Sequence, residues 1–197
     1  MMKIITGSAK GKRLRTLEGE ATRPTSERIK EAIFSSIQFD VEGRRVLDLF
    51  AGSGQMGLEA LSRGAQSAMF VDSAKEAIDV VKANAEATGF FSSSRYLVSD
   101  YRNFLRKYAG RERYDLIFID PPYAMECAKD AVERLLRADL VAKGALVVLE
   151  VGTESLKTDE PPFTDFEVEK YTSYGKKTAV AVLFYKGRAE ADGETDA

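Results

Sequence analysis

VLDLFAGSGQMGLEALSRG, residues 46–64, is the stretch on which the fold turns. Val46–Phe50 is a short apolar run suited to a buried strand, and it stops at Ala51-Gly52-Ser53-Gly54-Gln55-Met56-Gly57. From about Gly57 to Arg63 the spacing becomes helical. Strand, glycine turn and helix in that order make the ligand-binding corner of an α/β sheet. Gly52, Gly54 and Gly57 satisfy G-x-G-x-x-G, and glycine lets the backbone turn tightly and approach a ligand. Asp72 closes the next apolar run, 20 positions after Gly52, where a carboxylate can accept hydrogen bonds from two ribose hydroxyls. The plain alternative is a tight turn followed by an ordinary capping Asp. The strand–turn–helix context and the spacing to Asp72 weigh against it.

Outward from this stretch the chain alternates. Ala68–Val71 reads as a second strand, and Ser73-x-x-Glu76 as a capping box for a helix with Ala77, Ile78, Val81 and Ala85 on its buried stripe. Asn84 is assigned to the surface of that helix and not to the site. Tyr96–Val98, ending near Asp100, and the nearly all-apolar Leu116–Ile119 follow as strands. Ala128, Val132, Leu135, Leu136 and Leu140 mark another helix, and Leu146–Leu149 a fifth strand. Glu167–Tyr171 and Ala179–Tyr185 suggest a terminal antiparallel pair around Gly175. Upstream, Lys3–Gly7 and Lys12–Thr16 suggest a basic β-hairpin. Arg23-Pro24-Thr25-Ser26 looks like a helix start, with Ile29, Ala32, Ile33 and Ile37 at helical spacing. The expected fold is α/β, a mostly parallel doubly wound sheet with a C-terminal antiparallel pair and an N-terminal β-hairpin. Its segments are a basic extension over 1–22, the main domain over 23–188 and an acidic tail over 189–197, read as disordered.

Composition narrows the chemistry. With 197 residues, 44% hydrophobic and 30% charged, the chain suits one soluble domain. No apolar stretch approaches the roughly 18–20 residues that span a bilayer. Lys10, Lys12, Arg13 and Arg15 fall where a signal peptide would be apolar, so a cytoplasmic protein is expected. Cys127 is the one cysteine, which excludes an internal disulfide and makes cysteine metal ligation implausible; no metal is expected. There is no histidine, so Ser-His-Asp and Cys-His mechanisms and the usual zinc hydrolases are excluded. Net charge is only −2, but residues 1–17 carry five basic side chains and no acid. A solvated end is the bland reading of that run, and a phosphate-holding surface the sharper one.

Two features separate the nucleotide cofactors. Asp48 lies inside the first strand, where a dinucleotide site normally has an apolar side chain. Its negative charge can order the glycine loop, and it suits the cationic methionine end of S-adenosylmethionine better than a pyrophosphate. The second feature is Asp120-Pro121-Pro122-Tyr123, directly after the fourth strand. Two prolines remove backbone donors, so this loop presents carbonyls and a carboxylate as acceptors, with the flat face of Tyr123 beside them. An aromatic amine fits that combination. A Pro-Pro turn that is merely rigid is the alternative, and its place after a fourth strand speaks against it.

These motifs resemble the amino-methyltransferases with a D/N-P-P-Y/F signature. More narrowly, the chain is similar to the bacterial 16S ribosomal RNA guanine-N2 methyltransferase family (RsmD-like). The stretches that carry the resemblance are IITGSAKGKRL (4–14), RPTSERIKEAIF (23–34), residues 46–64 and YDLIFIDPPY (114–123). The resemblance implies a Rossmann-like class I methyltransferase fold and S-adenosylmethionine as cofactor. The implied reaction is methyl transfer to the exocyclic N2 of a guanine in 16S ribosomal RNA, in a small-subunit particle or assembly intermediate, by a monomer. It implies Asp48, Phe50, Gly52, Gly54, Asp72, Asp100 and Asp120 for the cofactor, with Asp100 near the adenine amino group or else a simple helix cap. Asp120, Pro121 and Tyr123 are implied for catalysis, and Lys10, Lys12, Arg13, Arg15 and Arg23 for RNA. Asp72 stands where many relatives are expected to have Glu, and Gln55-Met56 replaces a small apolar pair. The alternatives are an adenine-N6 or other amino methyltransferase acting on DNA, another RNA or a protein glutamine; an NAD-dependent oxidoreductase; and a non-catalytic RNA-binding protein.

Overall fold

The computed structural model describes residues 2–17, 24–121, 125–151, 157, 159–175 and 178–187. Arg23, Pro122, Tyr123 and the acidic tail lie outside the described residues. Seven strands form one sheet in the order β3-β2-β1-β4-β5-β7-β6. They are β1 (Arg45–Asp48), β2 (Ser67–Asp72), β3 (Ser94–Val98), β4 (Tyr114–Ile119), β5 (Val141–Val151), β6 (Phe166–Tyr174) and β7 (Thr178–Tyr185). The first five pair in parallel, β7 runs antiparallel to β5, and β6 antiparallel to β7. β1 lies between β2 and β4, so the strand order reverses beside it and opens a crevice at the carboxyl ends of β1 and β4.

The period of two along each strand divides the core into two layers. Leu47, Met69, Val71, Ile117, Ile119, Val147 and Leu149 face one way, toward α4 (Tyr101–Tyr108) and α5 (Met125–Arg137). Val46, Phe70, Leu116, Phe118 and Val148 face the other way, toward α1 (Pro24–Ser36), α2 (Gln55–Ser62) and α3 (Lys75–Thr88). Burial on both faces explains why these strands read as apolar runs. Asp48 falls on the α2 face by the same alternation.

Several local expectations shift. α2 begins at Gln55, two residues earlier than expected, because Gly54 in a left-handed conformation (φ 78°) serves as its N-cap and its carbonyl accepts from Leu58 N–H. The Ser73–Glu76 capping box does not form: α3 starts at Lys75 with Ala74 as N-cap and no side-chain cap bond. Asp72 Oδ1 accepts from Ala74 N–H at 2.9 Å instead, which takes up the free donor next to the helix start. β5 is longer than expected because its ends gain separate partners, Tyr114 of β4 opposite Val141 and Ala179 of β7 opposite Val151.

The N-terminal hairpin is reduced to one antiparallel bridge, Lys3 with Arg13, supported by the Ile4 to Lys12 and Leu14 to Met2 backbone bonds. Several of its other donors are taken by α2. Glu59 accepts from the Ile5 and Thr6 amides at 2.7 and 3.0 Å, and Ser62 Oγ accepts from Ala9 N–H at 3.0 Å. Met2, Ile4, Ala9 and Leu14 then bury their side chains in the second core layer. No helix of the described residues is long and apolar enough to cross a membrane.

Candidate active site

A cleft of about 610 Å³ opens at the carboxyl ends of β1, β2, β3 and β4. That volume is in the range of small-molecule sites. Asp48, Phe50, Gly52, Asp72, Asp100 and Asp120, all singled out from the sequence, line it. Gly54 does not; it caps α2 from below, where a Cβ would come within 3.0 Å of Val81.

The acidic residues play different local parts. Asp72 Oδ2 accepts from Gly52 N–H at 2.9 Å, so the carboxylate at the end of β2 fixes the first turn of the glycine loop. Asp48 Oδ2 accepts from Gly57 N–H at 3.0 Å and ties β1 to the first turn of α2. This approach needs glycine: a Cβ at 57 would lie 2.4 Å from the Phe70 ring. Burial pushes the Asp48 carboxyl up to about 7, against the lowering effect of the Gly57 amide and with added repulsion from Asp72. Asp100 both lines the cleft and caps α4, accepting from Arg102 N–H at 2.9 Å, so the two readings of this residue coexist. Phe50 and Tyr101 form an aromatic wall with centroids 5.2 Å apart, and the Tyr101 hydroxyl donates to Asp130 at 2.6 Å. Among the described residues no group of three His, Cys, Asp or Glu side chains is placed to hold a metal ion.

Asn84 is buried, and its assignment to the helix surface is corrected. Its Nδ2 donates to the carbonyls of Ser53 and Arg15 at 2.9 and 3.0 Å, while Oδ1 accepts from Arg15 N–H at 2.8 Å. One side chain therefore joins the glycine loop to the basic segment. A signal was present, since position 84 follows the buried Val81 by three residues. Lys30 and Glu59 were also missed. Both are almost fully buried, 3.5 Å apart, with Arg63 on the other Glu59 oxygen at 2.9 Å and the Lys3 carbonyl accepting from Lys30 at 2.6 Å. Burial holds the Lys30 amine below its ordinary value, with Glu59 opposing that shift. Each interrupts an apolar helix face, a pattern that signals a buried pair. Lys10, Lys12, Arg13 and Arg15 remain exposed on the bridged segment, and Lys12 Nζ donates to the Ala87 carbonyl at 3.1 Å.

A smaller cavity, about 90 Å³, lies on the α1 side of Asp120. Asp120, Gln55 and Met56 line both spaces, so the two meet at the end of β4.

A mostly parallel sheet with this strand order, a carboxylate-braced glycine loop and a cleft over the switch point define a Rossmann-like class I methyltransferase fold. The chain belongs to the family described as Conserved hypothetical protein 95, the RsmD family, whose model matches residues 2–183. It is 36% identical over 189 residues to "Putative rRNA methyltransferase YlbH" of Bacillus subtilis, covering 94% of this chain and 100% of that one. It is 29% identical to "Ribosomal RNA small subunit methyltransferase D" of Haemophilus influenzae, over 93% of this chain and 91% of that one. The solved structure of "Putative methyltransferase yhhF" from Escherichia coli superposes with a TM-score of 0.83 at 25% identity, covering 95% of this chain and 99% of that one.

Proposed function

We propose that this protein transfers a methyl group from S-adenosylmethionine to the exocyclic N2 of a guanine in 16S ribosomal RNA of the small subunit. The observation that carries the reading is the junction of two cavities at Asp120, a large one for the donor and a small one for the acceptor. The names of the relatives support an RNA acceptor.

The residues present fit the cofactor. Asp72 closes β2 with its carboxylate at the cleft, where ribose hydroxyls can donate to it. Asp48 is a buried carboxyl whose ionised form a cationic ligand would favour. Phe50 and Tyr101 supply an apolar wall, and Asp100 an acceptor for an amino group. When bound, S-adenosylmethionine supplies a methyl group already activated by its sulfonium.

The chain's own contribution is to prepare the amine. The guanine N2 lone pair is delocalised into the ring and is a poor nucleophile. Asp120 and the Pro121 carbonyl accept its two hydrogens, which favours a pyramidal nitrogen whose lone pair points at the methyl. The same acceptors would stabilise the positive charge that develops on this nitrogen during transfer. Asp120 need not take a proton during transfer, because the methylated nitrogen loses one readily afterwards. Tyr123 stacks on the base, worth about 1–3 kcal/mol, against the few kcal/mol needed to swing the base out. The exposed cations of residues 10–15 hold phosphates and contribute affinity without reading sequence.

Labelled methyl transfer to naked 16S RNA, to small-subunit particles and to DNA, followed by nucleoside identification, tests this reading. N2-methylguanosine from the RNA or the particle is expected. Label in DNA or in N6-methyladenosine rejects it.

A further inference from the structure

Among the described residues, Glu150 is the one ionisable group of the smaller cavity that the proposed mechanism and the N-terminal clamp both leave unused. Asp120 follows β4 directly, and the parallel register sets Ile119 opposite Leu149. One residue further on, Asp120 and Glu150 therefore stand side by side at adjacent strand ends. Two residues before them, paired Phe118 and Val148 occupy the same face and floor the cavity, with Ile29 and Ile33 of α1 opposite. Apolar walls of this kind suit the faces of a flat heterocycle.

Acceptor oxygens outnumber the charged donors of the lining. Besides the two carboxylates, Gln55 Oε1 is buried there with no hydrogen-bond donor among the described residues. Lys30, the cation that borders the cavity, is occupied by the Lys3 carbonyl and Glu59. A buried amide oxygen without a donor, beside two carboxylates, calls for a ligand edge rich in donors. Guanine has such an edge, with N1–H and the two N2 hydrogens in a row. Adenine places a lone pair at N1, which a carboxylate would repel.

We infer that Glu150 reads the Watson–Crick edge of the acceptor base, accepting N1–H while Asp120 accepts from N2, and thereby selects guanine over adenine. This role rests on the guanine reading above and adds the residue that decides the base. Burial raises the Glu150 carboxyl, and charge-assisted bonds to the base would favour its ionised form. Overall RNA affinity comes from phosphate contacts, so exchanging the charge-assisted bond to the base for a weaker neutral one shows as poorer docking of a bound substrate.

The test uses the full chain with the 16S RNA or particle substrate, comparing wild type, Glu150→Gln and Glu150→Asp. Glutamine nearly matches the volume, and position 150 is only half-buried, so folding and S-adenosylmethionine affinity should be retained. For Glu150→Gln, kcat should fall about 5–10-fold with both dissociation constants within about twofold of wild type. Glu150→Asp, which keeps the charge at shorter reach, should lie between Gln and wild type and is decisive if the Gln variant fails to fold. Wild-type kcat in the folded variants overturns the role of Glu150 while leaving guanine methylation standing. A wild-type product other than N2-methylguanosine overturns both.

Discussion

Asp48 carries a linkage that can be measured without RNA. Its carboxyl titrates at about 7 in the fold against an ordinary 3.8, so between those values the folded chain holds more protons than the unfolded one. On this residue's account stability falls as pH rises from about 4 to about 7. Asp48→Asn removes that cost, so denaturant titration should find the variant more stable than wild type at about pH 8, with the difference shrinking toward about pH 5. Wild-type S-adenosylmethionine affinity should rise through pH 7, because the cationic ligand favours the ionised carboxylate, while the variant should be weaker and flat. A variant whose affinity climbs in parallel would remove Asp48 from the cofactor site. Asp120 poses a different question. Asp120→Ala should lower turnover far more than cofactor affinity, and Asp120→Asn, which keeps an acceptor oxygen, should retain more activity than Ala. Equal inactivity of the two would make Asp120 an obligatory base. That aspartates 48, 72 and 120 gather at one cleft was legible from their places after or within apolar runs, and Asp100 joined them through the family resemblance. The linking role of Asn84 was not, because it lies in two carbonyls that sequence distance conceals, one at Ser53 and one at Arg15.

At the scale of elements, α2 is the hub. Its first turn meets Asp48 through Gly57, and its middle holds the N-terminal segment through Glu59. Glu59→Ala would leave Lys30 buried without its carboxylate and free the Ile5 and Thr6 amides. Removing one partner of a buried pair costs about 3–5 kcal/mol, and a loss of that size is expected in urea denaturation. Limited proteolysis should then cut first within residues 2–17. A loss below about 1 kcal/mol would mean that the segment is held by its apolar residues alone. Strand and helix order was readable because a sheet covered on both faces imposes apolar runs, and helices keep their stripes. The misplaced starts have local causes: a left-handed glycine caps α2, and at α3 the Asp72 carboxylate on the Ala74 amide stands in for the Ser73–Glu76 capping box.

For the whole molecule, the proposed cofactor should act as a native-state ligand. S-adenosylmethionine and S-adenosylhomocysteine should raise the Tm and NAD should not; a shift with NAD alone would reverse the cofactor reading. Neutralising Lys10, Lys12, Arg13 and Arg15 together should weaken RNA binding and flatten its salt dependence, by about 0.7–0.9 in log–log slope for each phosphate no longer neutralised. Cofactor affinity should stay unchanged, and an unaltered slope would reduce these side chains to a solvated end. The amino-acid sequence by itself determined the alternating α/β architecture and the glycine loop, because each is written in contiguous residues whose spacing and φ preferences act locally. Tertiary structure decided what depends on remote partners. It turned the expected hairpin into a single bridge clamped on α2, buried Lys30, Glu59 and Asn84, and placed Glu150 beside Asp120. The physical reason is common to all of these: a buried polar group is satisfied by whatever partner the packed layers bring within reach, and that partner lies tens of residues away along the chain.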